Sequence, residues 1–323
     1  MTVMWMVVAF GVAQASPAVP EVEDLQIISV VDNTYDCFQP DEAVATRHSL
    51  AHTDGFDSIR LTAEMGLAYV IRYKVAGKPH TILFDFGLTQ LALENNLKKL
   101  NIPLQDVEAL ILSHAHEDHY AGLAWAAAQT HAPIYVGNAD AFLPRQFETP
   151  KRSWSMGTLD RAALVAAGSR VVEVATPTVV AGGALVSGTI AQATPYEKVP
   201  PFLRMMKDGK MVQDPMTHEL ALGFRVKGKG LVVVTACAHA GVINSTLWLQ
   251  KASGETRLHA VLGGMHLTSA PPDVTDATVA ALVSLKPAYV APLHCTGDRA
   301  MRKLAATFGS GYVQPSAGTA YHF

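Results

Sequence analysis

The sequence predicts a layered α/β fold, and three observations support this prediction. Short apolar runs that suit buried strands alternate along the chain with segments of helical character. Hydrophobic residues make up 49% of the 323 residues and charged residues 16%, which is enough apolar material for a sizeable core. Histidine-rich strings directly follow several predicted strands, and ligand sites collect at such strand ends in layered sheets. We therefore expect one functional site at a sheet edge.

The N-terminal half has several segments with strand character and a hairpin signal, Gly77-Lys78-Pro79, between two of them. The predicted strands are 25–31, 66–73, 81–84, 108–112, 133–136 and 170–174. Helical character is found at 88–100 and 159–167, and a helix can begin within 121–125. These elements alternate in the way that a layered α/β fold requires.

The C-terminal third repeats a strand-then-helix pattern. The predicted strands are 231–235, 259–262 and 288–291, with helices after 242 and around 279–283. Before them, the stretch 194–214 contains three prolines and an apolar run, 202–206. We expect an irregular loop there, which either forms a lid over a substrate pocket or packs on the core.

Charge and cysteine content narrow the class of protein. The net charge of −3 and the scattered Lys and Arg residues provide no basic field for nucleic acid. We expect Arg145, Lys151 and Arg152 to be solvated surface charges rather than an anion site. No apolar run is long enough for a stable membrane span. Three cysteines, an odd and low number, argue against a disulfide framework. A small-molecule substrate is the expected partner.

The N-terminus resembles a secretory signal peptide. A ten-residue apolar stretch, 3–12, precedes the A-x-A pattern at 13–15, although no Lys or Arg comes before it. We expect residues 1–20 to be a signal peptide and 21–323 to form a single domain. Cleavage would place the protein in the periplasm or outside the cell, and without cleavage it would be cytoplasmic.

The segment 113–123, S-H-A-H-E-D-H-Y-A-G-L, concentrates metal-ligand residue types. His114 and His116 are two residues apart, so in extended backbone both imidazoles project to the same side. Asp118 and His119 follow where the chain turns and can serve a second ion. Three imidazoles and a carboxylate form the donor mix expected for zinc, manganese or iron.

Each of the three C-terminal strands also presents a histidine just after its end. These are His239, His266 and His294, and Cys237 lies two residues before the first of them. Together with the ligand segment they predict one site gathered from distant parts of the chain.

H-x-H-x-D-H after an apolar strand resembles the ligand motif of the metallo-β-lactamase superfamily. The strings C-A-H-A-G-V-I-N, V-L-G-G-M-H-L and L-H-C-T-G are similar to those of a family within it. That family is named after dihydropterin–ribofuranosylaminobenzene phosphate synthase, and its other members are called metal-dependent hydrolases. The resemblance implies an αββα sandwich of two mixed β-sheets flanked by helices. It also implies one or two divalent ions, with zinc as the first choice and manganese or iron as alternatives.

The resemblance also implies roles for individual residues. The ligand motif corresponds to His114, His116, Asp118 and His119, and the last histidine ligand to His294. Cys237 occupies the position of a bridging ligand. His239 is our first choice to complete the first metal's ligand set, with Cys237 and His266 left open as alternatives. Asp85 ends a strand beneath the site and is expected to orient the ligand segment.

Three positions near the expected site depart from the family pattern: Phe86, Ala121 and Ala236 replace Thr, Gly and Gly. Substrate choice is therefore not carried over from the named enzyme.

The expected chemistry is hydrolysis of an ester, lactone or phosphoester by a metal-activated water whose pKa falls to about 7. Asp118 is expected to bind metal and to take the nucleophile's proton. The first alternative is a transferase like the named synthase. An exported β-lactamase, an iron-dependent sulfur-oxidising enzyme and a metal-stabilised binding protein without turnover also remain open.

Overall fold

A computed structural model describes residues 17–323 of the chain. Most of the predicted signal peptide, residues 1–16, therefore lies outside the described residues. Within 17–323, no helix combines the length and the apolar character needed to cross a membrane.

Strands and helices alternate through the described chain much as the apolar periodicity predicts. The helices are α1 (Gln90–Lys99), α2 (Glu117–Tyr120), α3 (Leu123–Thr130), α4 (Arg161–Ala166), α5 (Val242–Ser253), α6 (Pro272–Leu285) and α7 (Asp298–Phe308). The strands are β1 (Glu21–Val31), β2 (Ala45–Thr46), β3 (Ala68–Val75), β4 (Lys78–Phe84), β5 (Val107–Ile111), β6 (Ile134–Val136), β7 (Arg145–Thr149), β8 (Arg152–Ser155), β9 (Val171–Glu173), β10 (Thr178–Val180), β11 (Ala184–Val186), β12 (Leu203–Lys207), β13 (Lys210–Gln213), β14 (Leu222–Val226), β15 (Gly230–Val234), β16 (Leu258–Gly264), β17 (Tyr289–Leu293) and β18 (Ala320–His322).

Strand β1 belongs to two sheets. Its first residues, Glu21 and Val22, pair in parallel with β14, in the sheet ordered β17-β16-β15-β14. Its later residues pair antiparallel with β3, in the sheet ordered β1-β3-β4-β5-β6-β9. The two sheets bury one core between them, which includes Phe84 and Ile111 of one sheet and Val232 and Leu262 of the other.

Helices cover the outer face of each sheet. Leu97 of α1, Leu123 of α3 and Leu164 of α4 pack with residues of the β3-to-β6 sheet. Leu249, Leu282 and Leu304 of α5, α6 and α7 pack with residues of the β15-to-β17 sheet. This helix–sheet–sheet–helix layering confirms the predicted αββα sandwich.

A smaller sheet, ordered β13-β12-β7-β8, corrects part of the prediction for 194–214. We expected an irregular loop, but β12 and β13 form a hairpin whose partner is β7. The turn is Asp208-Gly209, both with positive φ (51° and 73°), as two-residue hairpin turns require. Leu203 and Met205 are buried and alternate with less buried residues, so the Met-rich run is a strand. Segment 194–202 stays irregular, and its role as a lid remains a prediction.

The parallel strands place the candidate site at one edge of the sandwich. Strands β4, β5 and β6 run parallel in one sheet, and β15, β16 and β17 run parallel in the other. Their carboxyl ends carry Asp85, the ligand segment and the three C-terminal histidine strings. Residues distant in sequence therefore meet there.

Candidate metal centre

Three buried histidines direct ring nitrogens at one another. His114 Nε2 lies 3.1 Å from His116 Nδ1 and 3.2 Å from His239 Nε2. His114 and His116 follow β5, and His239 follows β15. The three nitrogens form the first donor group, all within 4.8 Å of one another.

The first donor group suits a shared cation. Burial and the neighbouring histidines lower the pKa of His114 well below its usual value, and that of His239 likewise. Burial also lowers the pKa of His116 to about 3. Neutral rings at these distances offer lone pairs that can hold a divalent ion.

A second donor group lies beside the first. Asp118 Oδ2 is 3.3 Å from His294 Nε2 and 3.5 Å from His119 Nε2. Although burial opposes the charge, His119 and His294 hold the pKa of Asp118 well below its usual value. Imidazole and carboxylate are the donors expected for zinc, manganese or iron. Asp118, His119 and His294 therefore form the second donor group.

Asp85 supports both donor groups from beneath. It is fully buried, and its Oδ2 lies 2.7 Å from His119 Nδ1. Its carboxylate also accepts hydrogen bonds from the backbone N–H and the hydroxyl of Ser113, each at 2.7 Å. The Ser113 hydroxyl lies 2.8 Å from His114 Nδ1. Asp85 therefore orients one histidine of each donor group, because a fixed ring nitrogen on one side aims the other.

Sequence reasoning gave no supporting role to Asp32, Asn33 or Glu219. Asp32 Oδ1 accepts a hydrogen bond of 3.0 Å from the His294 N–H, and Asn33 Oδ1 lies 2.8 Å from His294 Nδ1. Glu219 accepts hydrogen bonds from the backbone N–H groups of His239 (2.8 Å) and Ala240 (2.6 Å). Burial raises the pKa of Asp32 to about 6 and that of Glu219 to about 7. Their sequence signal is that V-D-N (31–33) and D-x-x-x-H-E-L-A-L (214–222) are also similar to strings of the synthase family.

Several residues at this edge have left-handed backbone. Asp85, Ala238, His266 and His294 have φ values of 63°, 55°, 47° and 48°. Side chains other than glycine rarely adopt this region, and such residues cluster at functional sites. The strand ends are therefore bent to aim their side chains.

Geometry places His239 in the first group, and it also brings Cys237 close to His114 and His119. His239 is the residue beside His114 and His116, whereas Cys237 Sγ lies 3.2 Å from His119 Nε2. His266 falls in another set of donor atoms, with Cys237 and Cys295.

Arg145 corrects a prediction, because it is not a solvated surface charge. It is 2% exposed, and its Nε donates a hydrogen bond of 2.9 Å to Asp214 Oδ2. Burial lowers the pKa of Arg145, and Asp214 opposes that shift. The sequence gave no sign of this partner 69 residues away. Lys151 and Arg152 are exposed, as expected.

A cavity of about 270 Å³ opens beside His239 and His266. Segment 196–202 forms one wall, residues 265–271 form another, and Val274 and Thr278 of α6 complete it. Val199, Phe202, Leu267 and the neighbouring prolines make much of the lining apolar. A small molecule in the cavity would thus meet the edge of the donor groups.

Residues 61–194 match the family described as the metallo-beta-lactamase superfamily. The match includes Asp85 and the whole ligand segment, and the sandwich carries donor groups at the edge that the resemblance implied. Over residues 61–194, the chain is therefore similar to the metallo-β-lactamase superfamily.

Among its relatives is a protein of Methanocaldococcus jannaschii named 7,8-dihydropterin-6-methyl-4-(beta-D-ribofuranosyl)-aminobenzene-5'-phosphate synthase. The two are 28% identical over 81% of this chain and 90% of the relative. The uncharacterized protein MJ0448 of the same organism is also 28% identical, over 69% of this chain and 82% of its own. A crystal structure of Tm1679, described as a metal-dependent hydrolase of the beta-lactamase superfamily, shares the fold. Its TM-score is 0.71 at 23% identity, covering 93% of this chain and 99% of that one.

Proposed function

We propose that this protein is a metal-dependent hydrolase that uses an activated water on an ester, lactone or phosphoester. One observation carries the proposal. The two donor groups, His114 with His116 and His239, and Asp118 with His119 and His294, lie side by side, and His239 of the first group lines a cavity. Zinc is the ion we propose first, because imidazole and carboxylate donors suit it.

Divalent ions held by these groups would supply Lewis acidity toward a substrate oxygen and would make a water more acidic. The protein's own residues provide the rest. Asp118 is 16% exposed, so its carboxylate can reach a water as well as His119 and His294. Because these histidines favour its ionised form, the Asp118 carboxylate is available to bind an ion and to accept a hydrogen bond from the attacking water.

The cavity supports a substrate with an apolar portion. Phe202, Leu267 and Pro271 line it beside His239, so an acyl chain or a ring can bury apolar surface while its polar group faces the donor edge. The Glu197 carboxylate of the wall is engaged elsewhere, since it accepts hydrogen bonds from the N–H groups of Ile243 and Asn244. We therefore expect discrimination by shape and apolar area.

The relative named as a synthase favours a second candidate, a transferase that joins a dihydropterin to a ribosylated aminobenzene phosphate. The same donor groups could act there as Lewis acids. The two candidates differ in location, because the transferase needs cytosolic cosubstrates. Recovery of a mature chain beginning near residue 20 would favour the exported hydrolase.

The test is a substrate panel assayed with zinc-loaded, manganese-loaded and chelated protein. The panel contains chromogenic esters, lactones, a phosphodiester and a cephalosporin, and a separate assay follows the synthase product. We expect hydrolysis of at least one ester, lactone or phosphoester, lost on chelation and in His114→Ala. The control variant His52→Ala changes an exposed histidine and should retain activity.

Formation of the synthase product without hydrolysis would contradict the hydrolase proposal in favour of the transferase. Opening of the cephalosporin alone would identify a β-lactamase. Metal binding without turnover of any compound would leave the binding-protein alternative.

A further inference from the structure

Cys237, His266 and Cys295 form a set of donor atoms beside the two groups described above. They follow the ends of β15, β16 and β17, three neighbouring parallel strands. One sulfur or nitrogen atom of each lies within 4.8 Å of those of the other two. Because two of the three donors are sulfur, this set differs chemically from the nitrogen and carboxylate groups.

Neighbouring residues at each strand end divide between the groups. Cys237 lies in the sulfur-containing set and also in a donor group with His114 and His119, while His239 faces His114. Cys295 faces the same set, while His294 faces Asp118. The first two groups each have three donors without His266 or Cys295, so these two residues are free for another ligand.

His266 supplies an independent sign that a ligand belongs there. Across residues 17–323, both of its ring nitrogens are buried and neither has a hydrogen-bond partner. A buried polar atom without a partner costs about 1–3 kcal/mol. The Cys295 thiol donates a hydrogen bond of 3.5 Å to the Cys237 carbonyl. An ion between these side chains would give one of the His266 nitrogens a partner and would bind both sulfurs.

The backbone is shaped to bring the three donors together. An added Cβ at Gly264 would lie 2.0 Å from the Ala236 carbonyl oxygen and 2.8 Å from Cys295 Sγ. Only glycine lets the end of β16 approach its neighbours so closely. His266 follows in left-handed backbone (φ 47°). The arrangement is therefore built by the fold.

We propose that Cys237, His266 and Cys295 form a further metal site, selective for a thiophilic divalent ion such as zinc or cadmium. Thiolates favour such ions over the hard ions that oxygen donors bind. Binding converts both thiols to thiolates and releases their protons to solvent, with no change in oxidation state. Cys237 Sγ also lies 3.2 Å from His119 Nε2, so this thiolate can join the new site to the second donor group.

The test uses the full chain, stripped of metal under reducing conditions and titrated with cobalt(II) or cadmium(II). Thiolate-to-metal charge-transfer absorption reports sulfur ligation independently of activity. We expect this absorption in the wild type and in Cys37→Ser, because Cys37 is not in the cluster. In Cys295→Ser we expect most of it to be lost, together with about one bound ion per chain. His266→Ala should lower the cadmium affinity about tenfold or more, and His114→Ala should retain the absorption.

Thiol labelling of the wild type keeps the proposal testable if a variant does not fold. Cadmium should protect two of the three thiols from a thiol reagent. Equal reactivity of all three with cadmium present would overturn the proposal. So would charge-transfer absorption that survives Cys295→Ser, because it would place sulfur ligation at Cys237 alone. A Cys237–Cys295 disulfide that persists after treatment with a reductant would also overturn the proposal.

Discussion

His119 shows how one ring is oriented from two sides. Its Nδ1 lies 2.7 Å from the buried Asp85 carboxylate, and its Nε2 lies 3.5 Å from Asp118. Burial disfavours a charged ring, yet the two carboxylates raise the pKa of His119 well above its usual value. A cation at Nε2 would take the place of the proton that this environment favours.

We predict that Asp85→Asn weakens divalent-metal binding about 10- to 100-fold, because the amide keeps the shape but not the charge behind His119. Competition with a chromogenic chelator measures the affinity. The matched control is Glu108→Gln. Glu108 lies on strand β5, and its carboxylate is also paired with a histidine, because Oε1 lies 3.0 Å from His80 Nδ1. Equal affinities in the two variants would contradict the role given to Asp85.

Residue roles could be predicted where ligands are close in sequence and not where a partner is distant. His114, His116, Asp118 and His119 lie within six residues of one another, so the sequence alone predicts a metal site. The buried pair of Arg145 and Asp214 depends on folding of the chain between them. Local composition could therefore not distinguish a buried arginine from a solvated one.

At the scale of elements, close contact between strand ends gathers the donors. The end of β16 packs against that of β15, with no room for a side chain at Gly264. At Gly223 on β14, by contrast, an added Cβ would find its nearest neighbour, Leu249, at 3.3 Å.

We predict that Gly264→Ala destabilises the protein by about 1–3 kcal/mol and lowers its metal content, because overpacking pushes the strand ends apart. Gly223→Ala should cost less, since its neighbour is a flexible side chain. Denaturant unfolding and elemental analysis of both variants provide the comparison. Normal metal content in Gly264→Ala would show that the position of the donor residues does not depend on close packing between the ends of β15 and β16.

The wall segment before β12 is fastened to the first turn of α5. Asn244 Oδ1 accepts hydrogen bonds of 2.8 Å from the backbone N–H groups of Ala193 and Thr194. In return, the Glu197 carboxylate accepts those of Ile243 (2.9 Å) and Asn244 (2.8 Å), near the positive end of the helix dipole. This reciprocal pairing fixes the position of the cavity wall relative to the His239 loop.

We predict that Asn244→Ala costs about 1–2 kcal/mol and increases hydrogen exchange across 193–202, because the N–H groups of Ala193 and Thr194 lose their acceptor. Asn138→Ala is the matched control, since the Asn138 side chain also accepts a backbone hydrogen bond, from the Asp140 N–H, in another part of the chain. Unchanged hydrogen exchange across 193–202 in Asn244→Ala would show that Asn244 does not hold the cavity wall in place.

Elements were predicted well where periodicity is strong, as in β15 and α6, and poorly at the hairpin of β12 and β13. The prolines of 194–202 and the methionines of 205–211 favoured a loop. The Asp208-Gly209 turn was the overlooked signal. The hairpin also depends on pairing with β7, which local sequence does not reveal.

At the scale of the whole molecule, the site joins the two halves of the sandwich. Asp85 and the ligand segment extend from the sheet containing β4 and β5, whereas His239 and His294 extend from the sheet containing β15 and β17. The family resemblance predicted this architecture, which apolar periodicity alone did not specify. Ions held between the halves would oppose their separation on unfolding.

We predict that chelation lowers the thermal unfolding midpoint by about 5 °C, since ligand at 100 times its Kd contributes about 2.7 kcal/mol. Calorimetry with and without chelator measures the difference. His114→Ala should unfold earlier and respond less to chelator. An unfolding midpoint of the wild type that is the same with and without chelator would contradict coupling between metal binding and stability.

Anomalous diffraction from crystals grown with zinc tests the central claim most directly, because it locates ions without reference to activity. We predict one peak about 2.0–2.2 Å from nitrogens of His114, His116 and His239, and a second beside Asp118, His119 and His294. A map without peaks at this edge of the sandwich, from protein saturated with zinc, would contradict the account.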